Sequence, residues 1–156
     1  MVNRGISLRE ARVSDLPAIL PLLDQLRDKS SRPDRPGEEL TPAHEEALRE
    51  ILESRYLTVL VAEVDGAVAG TCALAFLPNI NHSAKPYCIL ENMVVDESVR
   101  GAGAGRALIK HAVKLAREHG CYKLSLTSNL QRADAHRFYE SAGLTHSHKG
   151  FTIYLE

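Results

Sequence analysis

Three glycines and two arginines bring phosphate-binding chemistry into one short stretch of the chain. Gly101, Gly103 and Gly105 stand between an apolar run and an apolar-periodic one, with Arg100 before them and Arg106 after them. Glycine lets a ligand approach the backbone without a Cβ in the way. The first N–H groups of a helix have no intrahelical partners and lie at the positive end of the helix dipole. The spacing therefore predicts a strand, a glycine loop and a helix that together bind a phosphate group.

Three phosphate-binding patterns compete for this stretch. A P-loop requires a lysine after the cluster, and none follows at that spacing. The dinucleotide fingerprint G-x-G-x-x-G, counted from Gly101, fails because Arg106 stands at its third glycine position. The third pattern, [QR]-x-x-G-x-[GA], is met in full by Arg100, Gly103 and Gly105.

A second chemical feature is a carboxylate within an apolar strand. Glu91 lies in YCILENMVV, where every neighbour except Asn92 is apolar or aromatic. A carboxylate in a central strand is costly unless it is paired or borders a wet cleft. Partial burial would raise its pKa toward the working pH, as a general base for an amine requires. Glu91 is therefore a candidate base, and a structural ion pair, for instance with an arginine of the first helix, is the alternative.

Turn and cap signals indicate the elements that must position these residues. Ser14 suits the N-cap of a first helix, and Thr41-Pro42 suits the start of a second. Asp65-Gly66 between two apolar runs predicts a hairpin. Gly120 and Gly143 predict the ends of two further helices.

The resulting element order is βααβββαβαβ(β), with the last one or two strands drawn from LTHSHKGFTIYLE. We expect a single α/β (α+β) domain over residues 1–156. Its central sheet should be mixed, with six or seven strands, and about four helices should flank it.

The bulk properties describe a soluble globular protein. Of the 156 residues, 44% are hydrophobic and 25% are charged, and the formal net charge is −1. This balance provides no basic field for nucleic acid or an anionic membrane, and no segment has the apolar length of a membrane span. The opening residues, MVNRGISLRE, lack the apolar core of a secretory signal. We therefore expect a cytoplasmic protein.

The cysteines and histidines form no metal motif. Cys72, Cys88 and Cys121 lie in apolar stretches without a CxxC pair, which favours buried free thiols over a disulfide or a zinc site. The seven histidines include no HExxH pattern, so no metal is expected. His82 differs from the others, because its loop precedes the Glu91 strand and should overhang an acceptor site. It is a candidate substrate contact.

The stretch ENMVVDESVRGAGAGRALI, followed by LTSNLQRADAHRFYESAGL, resembles the GNAT superfamily of acetyl-CoA-dependent N-acetyltransferases. The resemblance is close over residues 87–144, and the N-terminal half agrees in element order only. It implies that acetyl-CoA is the cosubstrate and that its pantetheine arm pairs like an extra strand with the backbone of Met93, Val94 and Val95. It also implies that the diphosphate is held, mainly by backbone N–H groups, at Arg100, Gly101, Ala102, Gly103, Ala104, Gly105 and Arg106.

The resemblance assigns roles to three further side chains. Tyr139 matches the tyrosine that protonates the departing sulfur, and a core tyrosine is the alternative. Asn129 matches the residue that binds the pantetheine arm, and a turn residue is the alternative. Many members also carry a glutamate at the position of Glu91. A bulge in the Glu91 strand would aim an N–H at the thioester oxygen, but the sequence leaves its presence open.

These features predict direct acetyl transfer to a primary amine in a ternary complex. No base is evident beside Cys88 or Cys121, so no acyl-enzyme is expected. The acceptor cleft should involve residues 27–39, 79–86 and 146–151. A small molecule such as an amino sugar, polyamine, aminoalkylphosphonate or antibiotic is the first hypothesis for the acceptor. A protein N-terminus or lysine is the second, a non-catalytic acyl-CoA sensor is a further alternative, and a homodimer stays open.

Overall fold

The computed structural model describes residues 5–26 and 37–155. The chain divides into two compact units, Met1–Ser125 and Leu126–Glu156. The expectation of one domain over residues 1–156 stays a prediction. In the first unit, the described elements are β1 (Ile6–Glu10), α1 (Leu16–Asp24), α2 (Pro42–Glu53), β2 (Leu57–Val64), β3 (Ala67–Leu77), β4 (Tyr87–Val95), α3 (Ala104–Glu118) and β5 (Leu124–Ser125). The second unit contains α4 (Ala133–Ser141).

The first unit is built on a mixed sheet with the strand order β1-β2-β3-β4-β5. Strands β1 to β4 pair antiparallel with their neighbours, whereas β5 pairs parallel with β4. The β2–β3 hairpin turns at Asp65 and Gly66, whose φ angles of 53° and 84° are both positive, as a two-residue hairpin turn of this hand requires. The hairpin prediction is confirmed.

Helices cover the sheet and enclose the core. On one face, α1 and α2 pack around Val61, which clusters with Leu16, Ile19 and Leu48. Because side chains alternate along a strand, the neighbouring residue Leu60 points to the other face and is fully buried there. Helix α3 packs against β1, β2, β3 and β4. Its buried side chains are spaced at helical intervals: Leu108, Ile109, Ala112 and Ala116.

A polar cluster, which we call the Arg9 network, ties β1, β2 and the turn before α1 together. The Arg9 guanidinium donates to both carboxylate oxygens of Asp15, at 2.7 and 2.9 Å, and to Glu63 at 2.8 Å. Ser7 also donates to Glu63, at 2.9 Å. Hydrogen bonds from Arg9 hold the pKa of Asp15 below its ordinary value, and bonds from Ser7 and Arg9 do the same for the pKa of Glu63.

Two expectations about the elements are wrong. The described residues contain five strands rather than six or seven, because residues 144–155 form no regular element. Phe151, Ile153 and Leu155 alternate as a strand would, yet they are 82–95% exposed, and a strand forms only where a second strand satisfies its backbone groups. Helix α1 begins after Asp15, not Ser14, because Val13–Asp15 form a 3₁₀ turn first. The four described helices agree with the expected number.

Candidate active site

The predicted glycine loop, residues 100–106, joins β4 to α3. It follows a short 3₁₀ turn over Glu97–Val99 and ends in the first turn of the helix. Gly101 and Gly103 have φ angles of 84° and 99°, which residues with a Cβ rarely adopt. Apart from its two chain neighbours, no described residue has an atom within 4 Å of a Cβ built at Gly101. The backbone conformation, rather than a lack of space, therefore requires glycine there.

The head of α3 presents a row of backbone donors. Among the described residues, the N–H groups of Gly101, Gly103, Ala104 and Gly105 form no hydrogen bond. No side chain in the described part of the chain caps the helix at Gly103. Unsatisfied N–H groups at the positive end of a 15-residue helix form an anion-binding site.

Arginines flank these donors. Arg100 is exposed and donates from Nε to the backbone oxygen of Val95 at 3.2 Å. This bond ties the side chain to the end of β4 and leaves the two terminal nitrogens without a partner among the described residues. Arg106 is also exposed, on the first turn of α3. Both arginines can reinforce an anion site by charge-assisted hydrogen bonds.

Strand β4 contains the bulge that the sequence left open. Thr71 of β3 pairs with Val94, but Ala73 pairs with Glu91, so two steps on β3 correspond to three on β4. The extra residue lies next to Asn92, whose φ angle is +54°. A bulge bends its strand and redirects the N–H groups around it.

The other edge of β4 is paired over a short distance. Strand β5 pairs with β4 only at Cys88 and Ile89. From Leu90 to Val95, this edge of β4 has no strand partner among the described residues of the first unit. The backbone of Met93–Val95 therefore borders an open edge, to which an extended chain carrying amide bonds could add.

Glu91 lies at the bulge and is exposed. Its carboxylate has no hydrogen-bond or ion-pair partner among the described residues. The surrounding protein displaces part of its water, and this desolvation raises the pKa of the carboxyl above its ordinary value. Helix α1 contains no arginine, and Arg27 lies outside the described residues. The ion-pair alternative therefore stays open.

Two of the predicted side chains, Asn129 and Tyr139, belong to the second unit. The side-chain oxygen of Asn129 accepts from the backbone N–H of Gln131 at 2.9 Å, which is an Asx turn. Tyr139 is half-buried on α4, with its ring centroid 5.4 Å from that of Phe138. The roles of both residues stay predictions.

His82 lies in the β3–β4 loop, in a turn with unusual backbone geometry. His82, Ser83 and Ala84 all have positive φ angles, between 49° and 59°. The His82 ring stacks on Tyr122, with 3.9 Å between the centroids. This stack packs the loop against the residues just before β5. Contact between His82 and a substrate stays a prediction.

The sequence reasoning missed one contact behind the glycine loop. The side chain of Gln25, at the end of α1, donates to Asp96 at 3.0 Å and accepts from the backbone N–H of Glu97 at 3.3 Å. The Asp96-x-Ser98 spacing signals a local turn, and Asp96 indeed accepts from the N–H of Ser98. Nothing in the sequence links that turn to Gln25.

Neither a metal cluster nor a membrane span was found in the part of the chain that the structure describes. No group of three His, Cys, Asp or Glu side chains there could hold a metal ion. None of the helices there has the length and apolar character that a bilayer span requires. The described segments of the predicted acceptor cleft are residues 37–39, 79–86 and 146–151, while residues 27–36 lie outside the description.

Comparison with known proteins identifies the fold and its chemistry. The family model described as the acetyltransferase (GNAT) family matches residues 23–144. Glucosamine 6-phosphate N-acetyltransferase of Trypanosoma brucei brucei is 31% identical over 138 residues, 88% of each chain. Aminoalkylphosphonate N-acetyltransferase of Salmonella typhimurium is 34% identical over 88 residues, 56% of each chain. An acetyltransferase structure from Trypanosoma brucei is 26% identical, with a TM-score of 0.79 over 97% of this chain and 100% of that one. This chain therefore belongs to the GNAT acetyltransferase family, which uses acetyl-CoA, and is an N-acetyltransferase.

Proposed function

We propose that this protein transfers the acetyl group of acetyl-CoA directly to the primary amine of a small molecule. The proposal is carried by the row of N–H groups at the head of α3 that have no acceptor among the described residues. This row comes after a bulged strand, one edge of which has no strand partner from Leu90 to Val95 in the described part of the first unit. A diphosphate and an amide-bearing arm on the same ligand match these two features in order along the chain.

The glycine loop provides the diphosphate contacts in this proposal. Backbone N–H groups of residues 101–105 donate to the phosphate oxygens, and Arg100 and Arg106 add charge-assisted bonds. Met93, Val94 and Val95 bind the pantetheine arm along the open edge of β4. Asn129 forms a hydrogen bond to the same arm through its side-chain amide. The N–H groups next to the bulge at Asn92 serve as donors to the thioester oxygen.

Glu91 acts as the general base in this proposal. An amine with an ordinary pKa near 10 is almost wholly protonated at neutral pH, so attack requires removal of a proton. Glu91 has the raised pKa that brings a carboxylate closer to that task. It takes the proton directly or through a water. Tyr139 donates a proton to the departing sulfur.

The amine attacks without a covalent enzyme intermediate. Burial raises the pKa of Cys72 and of Cys88 to about 12, and it raises that of Cys121 as well. The thiolate is the nucleophilic form of cysteine, and at neutral pH it is disfavoured at all three positions. The three thiols are free. Because free thiols persist in a reducing compartment, we also propose a cytoplasmic location.

The names of two relatives support a chemical class for the amine acceptor. Glucosamine 6-phosphate and an aminoalkylphosphonate each join an amine to a phosphate or phosphonate group. We propose an acceptor of the same kind, a small primary amine that carries a phosphoryl anion. A protein N-terminus or lysine is the alternative within the enzyme class.

An amine screen read by thiol release from acetyl-CoA tests the proposal. Matched pairs isolate the phosphoryl group: glucosamine 6-phosphate against glucosamine, and 2-aminoethylphosphonate against ethanolamine. We expect kcat/KM to be at least about tenfold higher for the phosphorylated or phosphonated member of one pair, because a charge-assisted bond to the anion is lost in its partner. Turnover of peptides alone would favour the protein-acetylating alternative. Tight binding of acetyl-CoA with no thiol release for any amine would contradict the proposal in favour of a sensor.

A further inference from the structure

Hydrogen bonds from Gln25, at the end of α1, contact the turn that leads into the glycine loop. The Gln25 side-chain amide contacts this turn with both of its ends, as a donor to Asp96 and as an acceptor from Glu97. The backbone of Gln25 closes α1, since its N–H bonds to Leu22 and Leu23. The amide is thus fixed to a helix whose buried residues lie in the core.

Asp96 transmits this contact to the loop. Its backbone N–H donates to Ala69 of β3 at 2.8 Å, and one carboxylate oxygen accepts from the backbone N–H of Ser98 at 2.9 Å. The other carboxylate oxygen is the one that binds Gln25. The hydroxyl of Ser98 also donates to Asp96. The two carboxylate oxygens therefore connect the end of α1 to the turn over Glu97–Val99, and the backbone N–H joins Asp96 to β3.

Two backbone hydrogen bonds join the glycine loop to this turn. Arg100 N–H bonds to Glu97 at 3.4 Å, and Ala102 N–H bonds to Val99 at 3.2 Å. Both acceptors lie in the turn that Gln25 and Asp96 hold. The N–H group of Gly101 lies between these two bonds, so its direction depends on the position of this turn.

We infer that Gln25 is a positioning residue for the diphosphate of coenzyme A, which it affects through the turn after β4 and without touching the ligand. This inference rests on the proposed function. Donors aimed in advance at the ligand do not have to be ordered when it binds. Loss of the Gln25 amide leaves the turn with one carboxylate bond fewer and the N–H of Glu97 without its acceptor.

Equilibrium binding of CoA, measured by titration calorimetry on the full chain, tests this role apart from turnover. We expect Gln25→Ala to raise the Kd for CoA about tenfold, as for the loss of a hydrogen bond to a charged group. In turnover with the best amine of the screen, KM for acetyl-CoA should rise in proportion, while kcat and the KM of the amine change less than about twofold. Glu53→Ala, at the exposed end of α2, is the matched control and should bind CoA as the wild type does.

A second variant separates positioning from a loss of folding. Gln25→Glu keeps the size of the side chain but sets a carboxylate against that of Asp96. Arg100 is the cation whose charge acts on Asp96, and it favours the charged form. The variant should bind CoA more weakly than Gln25→Ala at pH 8, and its Kd relative to wild type should recover as the pH falls below about 5, because the introduced carboxyl then gains a proton that it can share with Asp96.

The outcomes are distinguishable. Equal CoA affinity in wild type, Gln25→Ala and Gln25→Glu would overturn the role of Gln25 and leave the proposed function intact. A weakened but pH-independent affinity ratio for Gln25→Glu would also overturn it, since the Asp96 contact would then not be the cause. A wild-type protein that does not bind CoA would overturn the proposed function itself.

Discussion

The Arg9 network and the strand around Glu91 each contain a carboxylate, and the two surroundings shift its pKa in opposite directions. In the network, Asp15 is 8% exposed and receives both terminal nitrogens of Arg9. Glu91 is exposed at a bulge and has no partner among the described residues. Pairing lowers the pKa of Asp15, whereas desolvation raises the pKa of Glu91.

The comparison separates stability from chemistry. A carboxylate that is fully hydrogen-bonded in its charged form holds two elements together but is a weak base. A carboxylate that loses water without gaining a partner costs stability, yet it accepts a proton more readily. Substitutions at the two sites should therefore have different consequences, and we state them from the largest expected effect to the smallest.

Glu91→Gln should lower kcat/KM by about a hundred- to a thousandfold, since a general base contributes on this order. The wild-type value should also fall as the pH drops through the raised pKa of Glu91, and this acidic limb should be absent in the variant. Steady-state kinetics over pH 5–9 with the best amine measures both effects.

Glu63→Gln is the matched control, because it makes the same change on β2, which is separated from β4 by β3 in the sheet. It removes a charge from the Arg9 network and should leave kcat/KM within about twofold at temperatures where the variant is folded. An equal loss of activity in the two variants would show that Glu91 has no special role as a base.

Asp15→Asn should lower the free energy of unfolding by about 2 kcal/mol, because it leaves a half-buried guanidinium with one charged partner fewer. For a chain of this length, that corresponds to a fall in Tm of roughly 4–8 °C. Since the folded pKa of Asp15 is depressed, its contribution is present above the unfolded pKa near 3.9 and is lost as the pH falls through the folded value. The difference in the free energy of unfolding between the variant and the wild type should therefore become smaller below about pH 4.

Urea unfolding at pH 7 and at pH 3 measures this difference in the free energy of unfolding, with Glu10→Gln as a control at an exposed carboxylate of β1, the strand that carries Arg9. A difference that stays constant with pH would mean that Asp15 acts by its shape rather than by its charge.

Local signals predicted most of the elements. Thr41-Pro42 begins α2, Asp65-Gly66 forms the hairpin turn, and Gly120 has the positive φ angle that follows a helix end. Each of these depends on a few neighbouring residues, so the sequence alone suffices. The strand, glycine loop and helix around Gly103 were predictable for the same reason.

Features that depend on distant partners were not predictable. The bulge at Asn92 is a shift in the pairing register between β3 and β4. This register depends on both strands, so the residues of β4 alone do not predict it. Gln25 and Asp96 are 71 residues apart and share no local pattern. The alternation of Phe151, Ile153 and Leu155 is typical of a strand, but it does not show whether a partner strand is present.

The smallest expected effect concerns the stability of Glu91→Gln, and it decides between the base and the ion pair. A raised folded pKa means that the folded state binds a proton more readily than the unfolded state, so the wild type loses stability as the pH rises above the unfolded pKa. Glutamine carries no such penalty. The free energy of unfolding of the variant should therefore equal that of the wild type near pH 4 and exceed it by a few tenths of a kcal/mol at pH 8. The gain is small because Glu91 is exposed. Urea unfolding at the two pH values measures the gap. A variant less stable than wild type at pH 8 would mean that a cation holds Glu91, as in the structural alternative.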